Sequence, residues 1–216
     1  MKMDKKSVRI LVGMRMVQKK TEGEFIKNTN DETSNYLFKL NQYWDDCSNQ
    51  HVIDGNGNYI DEDKKFGATS SGSIVNGLKE GIWTGKCNIS DSYFTEEYEN
   101  GVLFFGTSFL SNKNYHYKTI FEKGLPKKGL IGFYNFANLT IQRTPLIGKL
   151  QLLFYVNATN KISDFYILQS NSKELEPIII KLVNEYQQWE LDTYRGIPIK
   201  TYYNFPINVY NRKSHH

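Results

Sequence analysis

Apolar and polar positions alternate with a period of two in several stretches of this chain, and follow the 3.6-residue period of a helix in one. Val8, Ile10, Val12, Met14 and Met16 alternate with Arg9, Leu11, Gly13 and Arg15, which predicts a strand inside an irregular opening unit over residues 1–45. Near the other end, Leu150, Leu152, Phe154 and Val156 share one parity while Lys149, Gln151, Leu153 and Tyr155 share the other, the signature of a half-buried strand. Asn157-Ala158-Thr159-Asn160 turns the chain into a second strand over 161–168, where Ile162 disagrees in parity with Phe165 and Ile167; a bulge reconciles them. Asn171 is placed to cap a helix, with Glu174 completing a capping box and Pro177 tolerated in the first turns. Leu175, Ile178, Ile179, Leu182, Val183, Tyr186 and Trp189 then form one apolar stripe at helical spacing. After Gly196 the period returns to two. Ile197, Ile199, Thr201, Tyr203, Phe205, Ile207 and Val209 face the core; Pro198, Lys200, Tyr202, Asn204, Pro206, Asn208 and Tyr210 face water. Pro198 and Pro206 share parity, so both missing N–H groups address one side, and that side is predicted to be a sheet edge.

Between these regions, residues 46–110 consist of short aromatic-bearing runs broken at Asp54-Gly55-Asn56-Gly57, Asn76-Gly77, Glu80-Gly81 and Asn100-Gly101, which are hairpin turn signals. Gly55, Gly77 and Gly101 recur at intervals of 22 and 24 residues, a period that predicts stacked β units, none able to cover its own apolar face. Residues 111–145 read as a connector, with a loop over Gly124–Gly129 and a short helix over Ile131–Leu139. The segments NGLKEGIWTG and EEYENGVLFFGTSF resemble the MORN-repeat variant of bacterial YwqK-type antitoxins, which implies a meander of β-hairpins. Over residues 146–212, GKLQLLFYVNATNKISDFYILQS, the helix ending in Trp189, and GIPIKTYYNFPINV resemble the TonB C-terminal domain, although Thr159-Asn160 stands where that family has Asp-Gly. Together they imply an α+β chain, a MORN-like β-hairpin meander followed by a β-β-α-β TonB C-terminal-like domain.

Composition narrows the functional classes. With 216 residues, 39% hydrophobic and 14% aromatic, the chain can bury a real core. Its net charge of +4, from 27 basic and 23 acidic residues, is spread without a long like-charged block, so nucleic acid is not indicated. The apolar run Val8–Val17 is interrupted by Arg9 and Arg15, which excludes a membrane span there and leaves a basic start without the core of a signal peptide. Cys47 and Cys87 lack metal-knuckle or redox spacing and pair only if the chain is exported. Asp54, Asn56, Asn58 and Asp61 imitate the start of a calcium loop, but Tyr59 and Lys65 occupy its glycine and glutamate positions. No motif supports a catalytic, metal or cofactor role for His51, His116, Glu96-Glu97 or Asp61-Glu62-Asp63. The expectation is a non-enzymatic protein-binding chain without a cofactor. The resemblance implies the cell envelope or periplasm, transport, and an outer-membrane receptor or transporter as the protein partner. That partner would be held by strand addition, with Tyr202, Asn204, Asn208 and Tyr210 as its contacts; exposed rings at Trp83 and Phe104 are a further possibility. The alternative is a structural or antitoxin-like protein acting through its hairpin repeats. Oligomeric state is left open.

Overall fold

The computed structural model describes residues 20–27, 36–141, 146–159, 161–186 and 188–210; the strand expected over Val8–Met16 lies outside them. The chain divides into two compact units, Met1–Thr119 and Ile120–His216.

The first unit is a nine-stranded antiparallel meander in which strand order follows sequence order: β1 (Thr21–Lys27), β2 (Tyr36–Trp44), β3 (Gln50–Ile53), β4 (Asn56–Asp63), β5 (Ala68–Val75), β6 (Leu78–Cys87), β7 (Ser92–Glu99), β8 (Val102–Leu110) and β9 (Lys113–Tyr117). Asp54-Gly55, Asn76-Gly77 and Asn100-Gly101 each place both residues at positive φ, the tight turn whose twist matches the strands it joins. These turns touch one another. Gly55 N–H donates to Asn41 C=O (2.8 Å), Gly77 N–H to Gly55 C=O (2.7 Å), and Leu40 N–H to Gly77 C=O (2.8 Å), so β2 is tied to the row of turns. A core of Leu40, Val52, Ile74, Trp83 and Tyr98 lies beneath, flanked by Tyr43, Tyr59 and Leu103. Three other glycines lie under aromatic rings. A Cβ at Gly72 would stand 2.4 Å from the Trp83 indole, one at Gly85 2.2 Å from the Phe94 ring, and one at Gly106 2.3 Å from the Tyr117 ring. The absence of a side chain on one strand lets the neighbouring strand's ring lie flat over it.

The second unit contains β10 (Phe121–Glu122), α1 (Gly129–Ile141), β11 (Gly148–Val156), β12 (Ile162–Ser170), α2 (Leu175–Glu185), β13 (Thr193–Tyr194), β14 (Ile197–Pro198) and β15 (Thr201–Val209). Its main sheet has the order β12-β11-β15, all antiparallel, and β10-β13-β14 form a second small sheet. Leu150, Leu152, Phe154 and Val156 of β11 and Tyr203, Phe205, Ile207 and Val209 of β15 pack against Leu175, Ile179, Leu182 and Val183 of α2. Phe133 and Ala137 of α1 belong to the same core, with Tyr186 and Trp189.

The α+β class expected from the sequence is corrected. Among the described residues the chain is mostly β, 59% strand against 13% helix in two helices, and the largest element there is the nine-stranded antiparallel sheet; a clear TonB-like α+β arrangement is lacking among them. Three local differences show why. The apolar stripe does not stay helical to Trp189: α2 ends at Glu185, Tyr186 adopts ψ 87°, and Trp189 forms an isolated bridge with Pro126. A stripe at helical spacing records burial, and these rings are buried among other aromatics after the helix has ended. Asn171 does not cap α2. Its Oδ1 accepts from Lys149 N–H (2.7 Å), while Glu174 stands at the N-cap without a side-chain capping bond, its carboxylate accepting from the Ser172 hydroxyl instead (3.2 Å). The final strand is split, because Ile199 N–H is drawn to Asp192 C=O (2.9 Å), leaving β14 in one sheet and β15 in another. The bulge in β12 is present: the pairing with β11 shifts between Leu153 and Tyr155, where Asp164 has φ 52°.

Candidate functional site

The alternation Thr201-Tyr202-Tyr203-Asn204-Phe205-Pro206-Ile207-Asn208-Val209 buries every odd position and exposes every even one. β15 pairs with β11 without a register shift from Val156↔Thr201 to Gly148↔Val209, and among the described residues β11 is its only partner. Which backbone groups face outward follows from β11. Lys149 exchanges hydrogen bonds with Asn171, its N–H to Oδ1 and its C=O from Asn171 N–H, so Lys149 points its main chain away from β15. Leu150 and Leu152, of opposite parity, point toward Ile207 and Phe205. Tyr202, Asn204, Pro206 and Asn208 therefore direct their backbone to the free side. Three N–H groups and four carbonyls line that side, with the gap at Pro206.

β15 differs from the other edges among the described residues. β1 carries Glu22, Glu24 and Lys27; β9 has five residues and begins with Lys113; β10 and β14 have two residues each; β12 has two register shifts and the exposed carboxylate of Asp164. Charge, shortness and bulges are the usual means of blunting an edge. β15 has nine residues, none of them charged.

The sheet face beside this edge is aromatic and bordered by lysines. Tyr155 and Tyr202 are directly opposite, with ring centroids 6.4 Å apart, and Tyr166 meets Tyr155 edge-on at 6.5 Å. Lys200 Nζ stands 4.1 Å over the Tyr155 ring and 3.1 Å from Asp164 Oδ2; this hydrogen bond to Lys200 holds the Asp164 carboxyl below its ordinary range. Lys123 Nζ lies 5.0 Å over the Tyr202 ring and 3.0 Å from the buried Asp192 carboxylate. Gln151 Nε2 donates to Asn204 Oδ1 (3.0 Å). On the core side, burial pushes the Tyr203 hydroxyl well above the usual phenol range, and that hydroxyl donates to Glu190 C=O.

Of the four contact residues expected from the sequence, Tyr202, Asn204 and Asn208 share the outward side of β15; Tyr210 follows the strand, and all four are exposed, Tyr202 at 57% and Tyr210 at 68%. Trp83 is fully buried, whereas Phe104 is 63% exposed. His51 is bonded to Asp45 (2.8 Å), which holds that carboxyl well below its usual range; His116 bonds Thr107 (3.1 Å) and stacks on Phe105. Of the calcium-like residues, Asp54 accepts from Gln42 and Asp61 pairs with Lys79 of β6 at 2.6 Å, so both carboxylates are engaged within the sheet; Asp63, outside that set, caps the turn after β4. Glu96 is buried and Glu97 exposed; neighbours on opposite sheet faces do not work as an acid–base pair. Cys47 is exposed and Cys87 buried, both as free thiols. Among the described residues no group of three or more metal-ligating side chains converges.

Two arrangements in the first unit are invisible to sequence reasoning. Glu96 accepts from the hydroxyls of Tyr98 (3.1 Å) and Tyr117 (2.9 Å), tying β7 to β9 across β8; its neighbour Glu97 gives no hint that one of the two is internal. Lys79 Nζ lies 4.2 Å over Trp83 and 5.0 Å over Tyr98 beside a cavity of about 220 Å³ lined in part by Leu37, Leu40, Tyr59 and Asp61. Burial there pushes the Tyr59 hydroxyl up to about 12.

No helix among the described residues is long and apolar enough to cross a membrane, which leaves a β-barrel crossing untouched. Compared with protein-family models, curated proteins and solved structures, the chain matches none of them.

Proposed function

We propose that this chain is a non-enzymatic binding protein that holds an extended peptide of a partner protein by adding it as a strand to β15. The observation that carries the reading is the edge itself, nine residues long, unbulged and uncharged, with outward backbone groups at Tyr202, Asn204 and Asn208. Seven outward groups, at a net 0.5–1.5 kcal/mol per hydrogen bond, amount to about 3.5–10 kcal/mol. The loss of rigid-body freedom is about 4–15 kcal/mol. Backbone pairing alone therefore gives weak binding, and side-chain anchors decide the affinity. Tyr202 and Tyr210 are the exposed rings at the two ends of the strand, suited to packing on the peptide's side chains.

Random nine-residue peptides displayed on phage and selected on the immobilised chain supply the probe. Hydrogen–deuterium exchange with a selected peptide is expected to slow the amides of Tyr202, Asn204 and Asn208, and Tyr202→Ala/Tyr210→Ala to weaken binding at least tenfold. Unchanged affinity in that double variant, or protection confined to other strands, removes the reading. A second reading, with the hairpin repeats as the contact surface, draws on the exposed Ile82, Tyr93 and Phe104. It gains if deleting the residues after Ile147 leaves binding intact.

A further inference from the structure

The way Pro206 sits in β15 bears on which strands that edge accepts. An uncharged nine-residue edge is as open to another copy of itself as to a foreign peptide. Two copies meeting at β15 form an antiparallel ladder about a two-fold axis, so each residue of the contact enters twice. The outward residues are Tyr202, Asn204, Pro206 and Asn208, two apart along the strand. Any symmetric register that engages three or more of them includes Pro206 of both copies, and two N–H donors are missing from the ladder. Registers that avoid the proline join only Tyr202 and Asn204, or Asn208 with its own copy. A foreign peptide meets Pro206 once and forgoes a single bond, while the Pro206 carbonyl still accepts.

The exposed Pro206 side chain leaves the β11 pairing intact, because its missing donor faces away from β11. Lys123 and Lys200 beside the strand are ion-paired with Asp192 and Asp164, whereas Lys149, opposite Asn208 on β11, is exposed and complements an acidic residue at the flank of a bound peptide. A second β15, which carries no charge and brings the same lysine with it, has no such complement.

We infer that Pro206 is a specificity-determining residue of this edge, which disfavours a second copy of the chain and leaves β15 open to an extended, acid-flanked peptide of another protein. The inference rests on the reading that β15 accepts a strand.

Sedimentation equilibrium on the full chain tests it with three proteins: wild type, Pro206→Val, and Pro206→Val/Asn204→Pro, which restores a gap at the neighbouring outward position. Two regained hydrogen bonds tighten self-association of Pro206→Val by roughly 5- to 150-fold over wild type, with slowed exchange at the Tyr202, Asn204 and Asn208 amides. The double variant returns to wild-type behaviour. Circular dichroism identifies a variant that has lost the fold, and Pro206→Thr then takes the place of Pro206→Val. Folded Pro206→Val that sediments like wild type overturns the inference, as does self-association that persists in the double variant. If a selected peptide still protects the β15 amides in that event, the strand-addition reading stands and the role of Pro206 alone falls.

Discussion

Adding one methyl group at Gly106 tests the packing rule of the first unit. A Cβ there would lie 2.3 Å from two atoms of the Tyr117 ring, well inside van der Waals contact. The ring has two ways to respond. It can stay, with neighbouring strands shifting, at the usual overpacking cost of about 1–3 kcal/mol. Alternatively it swings out, losing about 1.5–3 kcal/mol of burial and the 2.9 Å hydrogen bond to Glu96, worth about 0.5–1.5 kcal/mol. Alanine offsets about 0.5–1 kcal/mol of either through lower chain entropy in the unfolded state. The cheaper response decides, so Gly106→Ala is expected to destabilise the first unit by about 1–2 kcal/mol. Urea denaturation followed by amide exchange of β7–β9 measures this unit by itself. The same substitution in a Tyr117→Ser background separates ring contact from backbone effects, since without the ring alanine becomes neutral or mildly stabilising. Equal stability of Gly106→Ala and wild type, or an equal loss in both backgrounds, refutes the account of glycine as the floor beneath a ring.

Two further outcomes are expected. Phe133→Ala, which removes the α1 ring stacked on Phe205 at 5.1 Å and against Trp189 at 5.1 Å, destabilises the second unit by about 3–5 kcal/mol, read as loss of exchange protection in β11 and β15; protection unchanged would show that α1 is no part of that core. Asp164→Asn removes a carboxyl whose folded pKa is lowered by Lys200, so its stabilising contribution is present above the unfolded value of about 3.9 and fades as pH falls through the folded one. The thermal midpoint of the variant is expected below wild type at pH 7, with the gap narrowing as pH falls, and a gap that widens on acidification contradicts the assignment.

What could be read in advance was what local chemistry dictates. Asn76-Gly77 and Asn100-Gly101 announce their turns because few other pairs hold two positive φ angles in a row. The faces of β15 are equally plain, since every core residue of TYYNFPINV alternates with an exposed one. The bulge at Asp164, one of two register shifts between β11 and β12, follows from a parity clash. The rest depended on partners distant in sequence. The fate of Asn171 depended on Lys149, the break after Pro198 on Asp192, and the end of α2 on the aromatic cluster that receives Tyr186 and Trp189. The Phe133 ring, from a stretch taken for a connector, sits in the middle of that cluster. The floors at Gly72, Gly85 and Gly106 are silent in sequence, because a glycine within a strand does not say which ring covers it. For the candidate site, side-chain direction was legible, but the other edges against which β15 stands out required knowing where charges, short strands and bulges fall in the folded sheets.

The sequential strand order of the first unit has an evolutionary consequence. Because β4 through β9 each pair with the strand before, a hairpin of some two dozen residues can be duplicated or excised by one genetic event without re-routing the chain. What constrains such a change is the tie of Leu40 and Asn41 to Gly77 and Gly55, which fixes which two turns must remain beside β2. Length is therefore anchored toward β2, and because the buried Glu96 of β7 accepts from Tyr117 of β9, relatives of this protein are expected to differ at the far end by hairpins added beyond β9 rather than by loss of β8 and β9.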